Sequence, residues 1–412
     1  MQVKSNEKQK PRLLIILNRF VIGGQAVDTI PLAYYLQNTF DILILYGEKE
    51  KDEIEPAYLL IKYPGLQLKK IKHLRRSINP FIDVIAFLKL LGVILSFRPH
   101  IVHTHGAKSG FLGRVAAFFC RVPIIVHTFH GHFFHSYFST TISRLIALVE
   151  RFLSSITTAA VALSKTQKEE LTIDFKVINP SKVHIIPLGF DVVDSVDSEQ
   201  QRNHFRSKYS LPNEVVAIGI VGRIVPVKNH PMFLQVIKKL FADQPNMPAS
   251  FFVIGDGEIK NELMTMLHSM NIAFSETGYS NQCKVVFTSW ITNVEEIMNG
   301  LDIIALTSLN EGTPLTLIEA QFYQKPIICT NVGGVKDTMI ENVTGYLVES
   351  NDLALFSEKV KELVANKELR YTMGKAGKQL VIERFSKKQE VLITKDFYFA
   401  LLNKKIGNFE ID

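Results

Sequence analysis

Residues 310–320 read NEGTPLTLIEA and predict a polar loop that becomes a helix. Thr313 is a good helix N-cap, and Pro314 suits the first helical position, where its missing N–H costs nothing. The apolar segment 302–306 precedes this loop and is typical of a buried parallel strand. A strand, a short loop and a capped helix place free backbone amides at the strand end, which is an anion-binding arrangement.

Two carboxylates flank the start of this helix. Glu311 lies in the loop, and Glu319 lies in the helix, roughly 9 Å along its axis from the Thr313 cap at 1.5 Å per residue. The two side chains therefore suit two parts of one extended ligand, with phosphates on the amides between them and sugar hydroxyls at each carboxylate. The pattern favours a nucleotide-sugar. The alternative is that both glutamates are ordinary solvated residues.

Two further loops of the second half follow predicted strands. The segment 222–230, GRIVPVKNH, follows a strand at 215–221, and it offers the planar fork of Arg223 and the point charge of Lys228, a pairing suited to a diphosphate. Gly255 follows a strand at 251–254, where glycine lets the backbone approach a ligand closely. Surface cations kept for solubility and common turn chemistry are the alternatives for these two loops.

The first half opens in the same way. A short strand at 13–17, the pair Gly23-Gly24 and an apolar helix form the start of a doubly wound unit, but no G-x-G-x-x-G is present, so no dinucleotide cofactor is predicted. Further strands are predicted at 41–45, 100–104, 123–128, 159–163 and 184–187, with helices at 81–97 and 143–154. This alternation predicts a parallel sheet covered on both faces.

Histidines cluster at two predicted strand ends, in HTHGAK at 103–108 and HTFHG at 127–131. A metal site would need carboxylates or thiols as well, and acidic residues are nearly absent nearby, so no metal is predicted. Cys120, Cys283 and Cys329 lie far apart, which favours neither a disulfide framework nor a zinc cluster.

A chain of 412 residues exceeds the usual size of one core, so two domains are expected. We predict a first domain at 1–192, a linker at 194–206, and a second domain at 207–385, with a last helix at 386–412 packing back on the first. The polar N-terminus does not resemble a signal peptide. The longest stretch without Asp, Glu, Lys or Arg, 122–143, contains histidines, glycine and proline, so no transmembrane helix is predicted.

Positive charge is concentrated in the first half of the chain. The net charge is +7, and between residues 57 and 149 Asp83 is the only acidic residue. Such a field attracts anions, and an anionic membrane surface is favoured over nucleic acid because no recognised nucleic-acid module is present. A generally basic surface kept for solubility is the alternative.

The spacing of Glu311 and Glu319 resembles the E-x7-E signature of retaining glycosyltransferases with the GT-B fold, in the family 4 group. The segments 222–229 and 325–335, KPIICTNVGGV, also resemble that group, and the similarity runs from about residue 13 to residue 385. Gln321 and Gln324 depart from the usual Met and Gly, so the helix lacks the glycine that commonly caps its end. Val27-Asp28 departs from the usual charged residues after the first glycine pair.

The resemblance implies an α/β protein with two Rossmann-like domains facing across a cleft. It implies retaining, metal-independent transfer from a nucleoside-diphosphate sugar, UDP-hexose or UDP-N-acetylhexosamine, to a saccharide acceptor that is lipid-linked, in cell-surface polysaccharide assembly. The protein would be cytoplasmic, peripheral on the plasma membrane, and without a cofactor. By this resemblance His130 faces the transferred sugar, Glu311 holds the sugar and Glu319 holds the ribose. The implied donor-binding residues are Gly23, Gly24, Arg223, Lys228, Gly255, Ile291, Gly312, Thr313, Pro314, Leu315 and Glu319.

Two other functions fit the same architecture. A nucleotide-sugar 2-epimerase would need acid and base groups around the sugar, and a non-catalytic nucleotide-sugar-binding protein would bind the donor without turnover. The combination of the E-x7-E and G-R-x4-K-N segments favours the transferase over both.

Overall fold

Two parallel sheets of seven strands each organise the chain. The computed structural model describes residues 10–21, 23–50, 53–75, 77–130, 140–191, 198–280, 283–291 and 293–407. The chain divides into two units, Met1–Asp191 with Lys387–Asp412, and Val192–Ser386, each containing one sheet. The predicted α/β class with two doubly wound parallel sheets is therefore confirmed.

The first unit contains strands β1 to β7 in the order β3-β2-β1-β4-β5-β6-β7. Its strands are β1 Arg12–Leu17, β2 Asp41–Tyr46, β3 Gln67–Lys70, β4 Ile101–His105, β5 Ile124–Phe129, β6 Ala159–Ala162 and β7 Val183–Ile185. Its first helices are α1 Gly24–Leu36, α2 Ala57–Lys62, α3 Pro80–Phe97, α4 Ala107–Phe119, α5 Thr140–Ile156 and α6 Lys165–Glu169. The strand order reverses between β1 and β4, which is where ligands bind in such sheets.

Both faces of the first sheet are buried. Leu13 and Ile15 of β1 pack in one core with residues of α1, whereas Leu14 and Ile16 pack in a second core with residues of α3 and α4. This explains why β1 is a continuous apolar run instead of an alternating one.

The second unit repeats the arrangement, with the strand order β10-β11-β9-β8-β12-β13-β14. Its strands are β8 Val216–Val221, β9 Ala249–Ile254, β10 Phe274–Ser275, β11 Val285–Thr288, β12 Ile303–Leu306, β13 Ile327–Thr330 and β14 Gly345–Val348. Its helices are α7 Ser198–Lys208, α8 His230–Asp243, α9 Lys260–Ser269, α10 Val294–Gly300, α11 Leu315–Phe322, α12 Leu353–Ala365 and α13 Lys367–Arg384. Here the order reverses between β8 and β12.

Helix α7 corrects the predicted linker at 194–206. Residues 194–197 lie outside the described part of the chain, but α7 belongs to the second unit and packs on α10. Phe205 is fully buried, and the guanidinium of Arg206 donates to the carbonyl of Val215 at 2.7 Å. One aromatic and one arginine anchor the helix, and they are too few to produce a visible apolar period in a polar segment.

The chain end forms helix α14, Lys387–Lys405, which belongs to the first unit. Phe397, Tyr398 and Leu402 of α14 are buried in the core that also contains Leu13 and Ile15. The two helices before α14, α12 and α13, are divided at Asn366, whose side chain accepts a hydrogen bond from the Leu369 amide at 2.9 Å and caps α13.

Helix α3 is, among the described helices, the one that is long and apolar enough to cross a membrane by length and composition. Its mean hydropathy is 2.1, and 22% of the helix is buried. It packs on the first sheet through Ala86, Leu90, Val93 and Ile94. The sequence analysis predicted no membrane-spanning helix, and this criterion alone does not distinguish a span from a helix of a soluble domain.

Candidate functional site

The carboxyl edge of the second sheet brings the two predicted motifs together. The loop after β8 carries Arg223 and Lys228, and the loop after the neighbouring strand β12 carries Glu311. Lys228 Nζ donates to Glu311 Oε1 at 2.5 Å, and Ser308 Oγ donates to the same oxygen at 2.6 Å. A cation and a carboxylate thus meet at the point where the strand order reverses, which is the usual ligand position in a doubly wound sheet.

Backbone contacts fix the loop that carries Lys228. Thr307 Oγ1, at the end of β12, donates to the carbonyls of Lys228 at 3.2 Å and Asn229 at 3.0 Å. The Leu309 amide donates to the Val227 carbonyl at 2.8 Å. The position of the lysine is therefore determined by the strand beside it.

Gly255 follows β9 and lies against the loop after β8. Its φ is +136°, and a Cβ atom there would overlap the carbonyl oxygen of Gly222. Only glycine permits this approach of the two loops. Gly255 therefore has a structural requirement in addition to its predicted role near the donor.

Arg223 differs from Lys228 in its surroundings. Its side chain is exposed and makes no hydrogen bond or ion pair with any other described residue, whereas the Lys228 side chain is 24% exposed and paired with Glu311. Within the second unit, Arg223 is thus a cation available to a ligand.

The start of α11 differs from the prediction by one residue. The helix begins at Leu315, and Pro314 is the N-cap residue, with φ −72° and ψ 105°. Thr313 does not cap the helix, and its hydroxyl is buried without a hydrogen-bond partner. The preceding loop is held by the Gly334 amide, which donates to the Glu311 carbonyl at 3.1 Å. The first-turn amides, at Leu315 and Thr316, have no acceptor inside the helix.

Glu319 lies inside α11 and is partly buried. Burial raises its pKa to about 7. Its carboxyl group forms neither an ion pair nor a hydrogen bond with any other described residue, so no cation offsets the burial. A titratable carboxyl group without a partner beside an anion-binding helix start is a candidate ligand group.

Ile291 lies further along the same edge, after β11, and packs on the core beneath it. The nearby Ser289 Oγ donates to Asp256 Oδ2 at 3.5 Å, which links the loop after β11 to the loop after β9. The edge therefore runs from Ile291 through Gly255 to Lys228 and then to Gly312 and α11.

In the first unit, Gly23, Gly24 and His130 lie at the carboxyl edge of the first sheet. Gly23 precedes α1, and a methyl group there would meet no described residue within 4 Å. His130 follows β5, and its Nε2 lies 2.7 Å from Nδ1 of His105, the last residue of β4. Burial lowers the pKa of His130 to about 4, so the imidazole is neutral at pH 7.

His103 and His127 belong to the core of the first unit. His103 Nε2 lies 2.7 Å from Thr128 Oγ1 and its Nδ1 lies 2.5 Å from the Tyr398 hydroxyl, while His127 Nδ1 lies 2.8 Å from Thr104 Oγ1. Burial lowers the pKa of both histidines. No group of three His, Cys, Asp or Glu able to hold a metal ion occurs among the described residues.

The sequence analysis missed one buried charged cluster in the first unit. Lys387 Nζ lies 2.9 Å from Asp28 Oδ1 and also pairs with Glu390, and Glu390 Oε2 accepts from the Gly189 amide at 2.9 Å. The charge of Asp28 partly opposes the lowering of the His130 pKa. This cluster ties α1, just after the glycine pair, to the start of α14. Asp28 is one of the two residues that depart from the family pattern after the first glycine pair. Its partner Lys387 is too distant in sequence to be predicted.

Two doubly wound domains, with the Lys228–Glu311 pair where the strand order of the second reverses, agree with the GT-B fold that the sequence motifs predicted. Comparison with known families agrees. The family described as "Glycosyl transferases group 1" matches residues 201–380, and "Glycosyltransferase Family 4" matches residues 22–194. The chain belongs to the family 4 group of glycosyltransferases with the GT-B fold, as the sequence motifs predicted.

Individual relatives are distant but extend over most of the chain. A UDP-Gal:alpha-D-GlcNAc-diphosphoundecaprenol alpha-1,3-galactosyltransferase of Escherichia coli is 28% identical over 331 residues, 80% of this chain and 83% of the relative. The capsular polysaccharide biosynthesis glycosyltransferase CapM of Staphylococcus aureus is 27% identical over 346 residues, 79% and 85% respectively. The crystal structure of Anabaena HepE with UDP and glucose matches with a TM-score of 0.78 at 14% identity, covering 95% of this chain and 100% of HepE. This structure supports the fold alone.

Proposed function

We propose that the protein transfers a sugar, with retention, from UDP-hexose or UDP-N-acetylhexosamine to a lipid-linked saccharide during assembly of a cell-surface polysaccharide. The observation that carries the proposal is the placement of Lys228, Glu311 and the α11 start at one switch point. The names of the Escherichia coli and Staphylococcus aureus relatives support the UDP-sugar donor, the lipid diphosphate acceptor and the polysaccharide product.

The diphosphate of the donor would bind between Arg223, Lys228 and the first-turn amides of α11. The bond from the anomeric carbon to the diphosphate oxygen breaks, and negative charge accumulates on that oxygen. Donors fixed in advance around a developing anion supply the largest share of many rate enhancements. These two cations and the amides supply the positive charge that a divalent metal would otherwise place beside the diphosphate, so we propose metal-independent transfer.

Donor binding would also exchange partners at Lys228. In the structure its ammonium group is paired with the Glu311 carboxylate. When a donor phosphate binds the ammonium group in place of Glu311, the Glu311 carboxylate becomes free to accept hydrogen bonds from sugar hydroxyls. The Lys228–Glu311 pair thus holds both groups in place until the donor arrives.

Retention would follow from attack on the same face as the leaving group. A double displacement needs a nucleophile and an acid/base carboxyl about 5 Å apart. Glu311 and Glu319 are separated by eight positions, most of them along a helix rising about 1.5 Å per residue. In front-face attack the acceptor oxygen bonds to the anomeric carbon, and its proton passes to the departing diphosphate oxygen.

His130 would contact the transferred sugar or the acceptor as a neutral imidazole. Its lowered pKa supports this role, because a neutral ring can both donate and accept a hydrogen bond. Its hydrogen bond to His105 fixes the ring orientation.

We assign the protein to the cytoplasmic face of the plasma membrane, bound peripherally through its basic first unit, where the lipid-linked acceptor is presented.

The decisive assay incubates the protein with UDP-galactose, UDP-glucose and their N-acetylhexosamine counterparts, together with a synthetic lipid-diphosphate N-acetylglucosamine acceptor. We expect transfer from one UDP-sugar, an α-linked product by NMR, and the same rate with EDTA. A β-linked product or a strict metal requirement would contradict retention or metal independence. Epimerisation of the donor without acceptor would establish the epimerase, and donor binding without turnover would establish a scaffold.

A further inference from the structure

Helices α3, α4 and α5 form the outer layer on one face of the first sheet. Their inner sides are buried against that sheet through residues such as Leu90, Ala116 and Ala147. Their outer sides are apolar as well as exposed, with Phe81 86%, Leu88 59% and Phe119 68% exposed. We call the following set the apolar face: Phe81, Val84, Ile85, Leu88 and Leu95 of α3, Phe111, Phe118 and Phe119 of α4, and Leu145, Leu148 and Phe152 of α5.

The helices that carry the apolar face pack side by side. The Phe87 ring of α3 contacts the Phe119 ring of α4 at a centroid distance of 6.3 Å, and Phe118 and Phe119 are 6.0 Å apart. Helix α4 in turn contacts α5. Scattered surface hydrophobic residues are ordinary, but a contiguous apolar layer of this extent is a mark of an interaction surface.

Acidic residues are excluded from this layer. The three helices contain two acidic residues, Asp83 and Glu150. Asp83 pairs with Lys108, and Glu150 pairs with Arg114 at 2.9 Å, and their side chains are only 15% and 12% exposed. Both negative charges are therefore neutralised away from the outer side.

Cations, by contrast, border the apolar face. Arg98 and Arg121 lie at the carboxyl ends of α3 and α4, and Arg144 and Arg151 lie on α5, all exposed. A surface of apolar side chains bordered by these cations is complementary to an anionic bilayer, in which the apolar groups reach the acyl boundary and the cations meet phosphates.

A basic cavity adjoins the same face through Phe118. Its volume is about 680 Å³, and its lining includes Arg121, Lys182, Lys404 and Lys405 but no acidic residue. Lys182 is engaged with the carbonyls of Ser154 at 2.9 Å and Thr157 at 2.8 Å. The other three cations form no ion pair within the described residues. The cavity therefore offers unpaired positive charge where the apolar face ends, which suits the phosphate of a lipid headgroup.

We propose that the first unit docks on an anionic bilayer through the apolar face, with Arg121, Lys404 and Lys405 binding headgroup phosphate at its edge. The inference rests on the membrane association proposed above and identifies its surface, but it does not depend on the transfer chemistry. Helix α3 acts at the interface and does not span the bilayer, because Leu90 and Ile94 remain in the core of the first unit.

The test is flotation of the purified full chain with vesicles of phosphatidylglycerol and phosphatidylcholine, and with vesicles of phosphatidylcholine alone. We expect wild-type protein to float with the anionic vesicles, and added salt to weaken the binding. Phe81→Gln/Leu88→Gln is expected to lower the partition coefficient about tenfold or more, because interfacial binding scales with buried apolar area. Arg121→Ala/Lys404→Ala/Lys405→Ala is expected to weaken binding to anionic vesicles and to reduce its salt dependence.

The matched control is Ile61→Gln/Leu392→Gln, which removes two exposed apolar side chains, 82% and 51% exposed, from helices packed on the opposite face of the sheet. It is expected to bind as wild type does. Thermal unfolding and UDP titration of each variant separate lost docking from lost folding and from failure of the donor site. Equal loss in the control, absence of wild-type flotation, or a wild-type dimer that Phe81→Gln/Leu88→Gln converts to a monomer would overturn the proposal.

Discussion

Replacing Lys228 by alanine is expected to lower kcat/KM for sugar transfer by about 100- to 1,000-fold, which is the cost of removing one preorganised donor from a developing oxyanion. The loss should fall mainly on kcat, because the ammonium group interacts most strongly with the diphosphate as its charge grows. The measurement is steady-state kinetics with the best UDP-sugar, with UDP binding followed by calorimetry in parallel.

The variant also removes the lysine that pairs with the Glu311 carboxylate, leaving Ser308 as the remaining donor to that carboxylate among the described residues. Thermal unfolding must therefore accompany the kinetics. Lys361→Ala is a matched control, since Lys361 is 30% exposed and paired with Asp243, away from the carboxyl edge of the sheet. Near-normal turnover in Lys228→Ala, or an equal loss in Lys361→Ala, would remove the lysine from the mechanism.

Glu319→Gln is expected to weaken UDP binding and to raise the stability of the fold. Loss of a charged acceptor to the ribose should weaken UDP binding by about 10- to 100-fold, as for hydrogen bonds to charged groups. The same change should raise the melting temperature at about pH 8, because the wild-type carboxylate is buried without a cation and opposes folding. Calorimetric UDP titration and thermal unfolding measure the two effects.

The direction of the Glu319 pKa shift determines how the stability difference between wild type and Glu319→Gln changes with pH. The pKa of Glu319 is raised from 4.5 to about 7 in the folded chain. Below about pH 4.5 the carboxyl group is protonated in both states and has no effect, whereas above about pH 7 it is ionised in both and the full cost is present. The stabilisation by glutamine should therefore appear as pH rises from about 5 to 8, and wild-type UDP binding should strengthen over the same interval.

Glu368→Gln is the control for this prediction, since Glu368 is an exposed glutamate of α13. It should change neither UDP binding nor the pH profile of stability. If Glu319→Gln bound UDP as wild type does, the ribose assignment would be wrong. A variant equally stable at every pH would show that the Glu319 carboxyl group is not a buried, unpaired group.

Local signals predicted the second unit well. The run of apolar residues in β12 and the loop that follows are fixed by short-range sequence, so the anion-binding helix start could be placed to within one residue. The helix starts one residue later than predicted, and the loop before it is held by the Gly334 amide, which follows the next strand β13 and is not visible in the local sequence. Gln324 takes the left-handed conformation, with φ +56°, so the helix ends without the glycine that the pattern led us to expect.

Long-range pairings could not be predicted. Lys228 and Glu311 are 83 residues apart, and Lys387 and Asp28 are 359 residues apart, so their contacts depend on strand order and on the return of α14. The His105–His130 contact arises because β4 and β5 are neighbours and end at the same edge. Strand-end position could have indicated His105, but not its hydrogen bond. The short edge strands β3 and β10 gave no apolar run, so they were missed.

The most direct test of the donor site is a crystal structure of the protein with a UDP-sugar or UDP bound. We predict the β-phosphate at the amino end of α11, in contact with Lys228 Nζ and the Leu315 amide, with Arg223 turned towards it and Glu319 on the ribose. Glu311 should then have left the lysine. A nucleotide bound elsewhere, or a Lys228–Glu311 pair that stays intact beside a bound donor, would contradict the account.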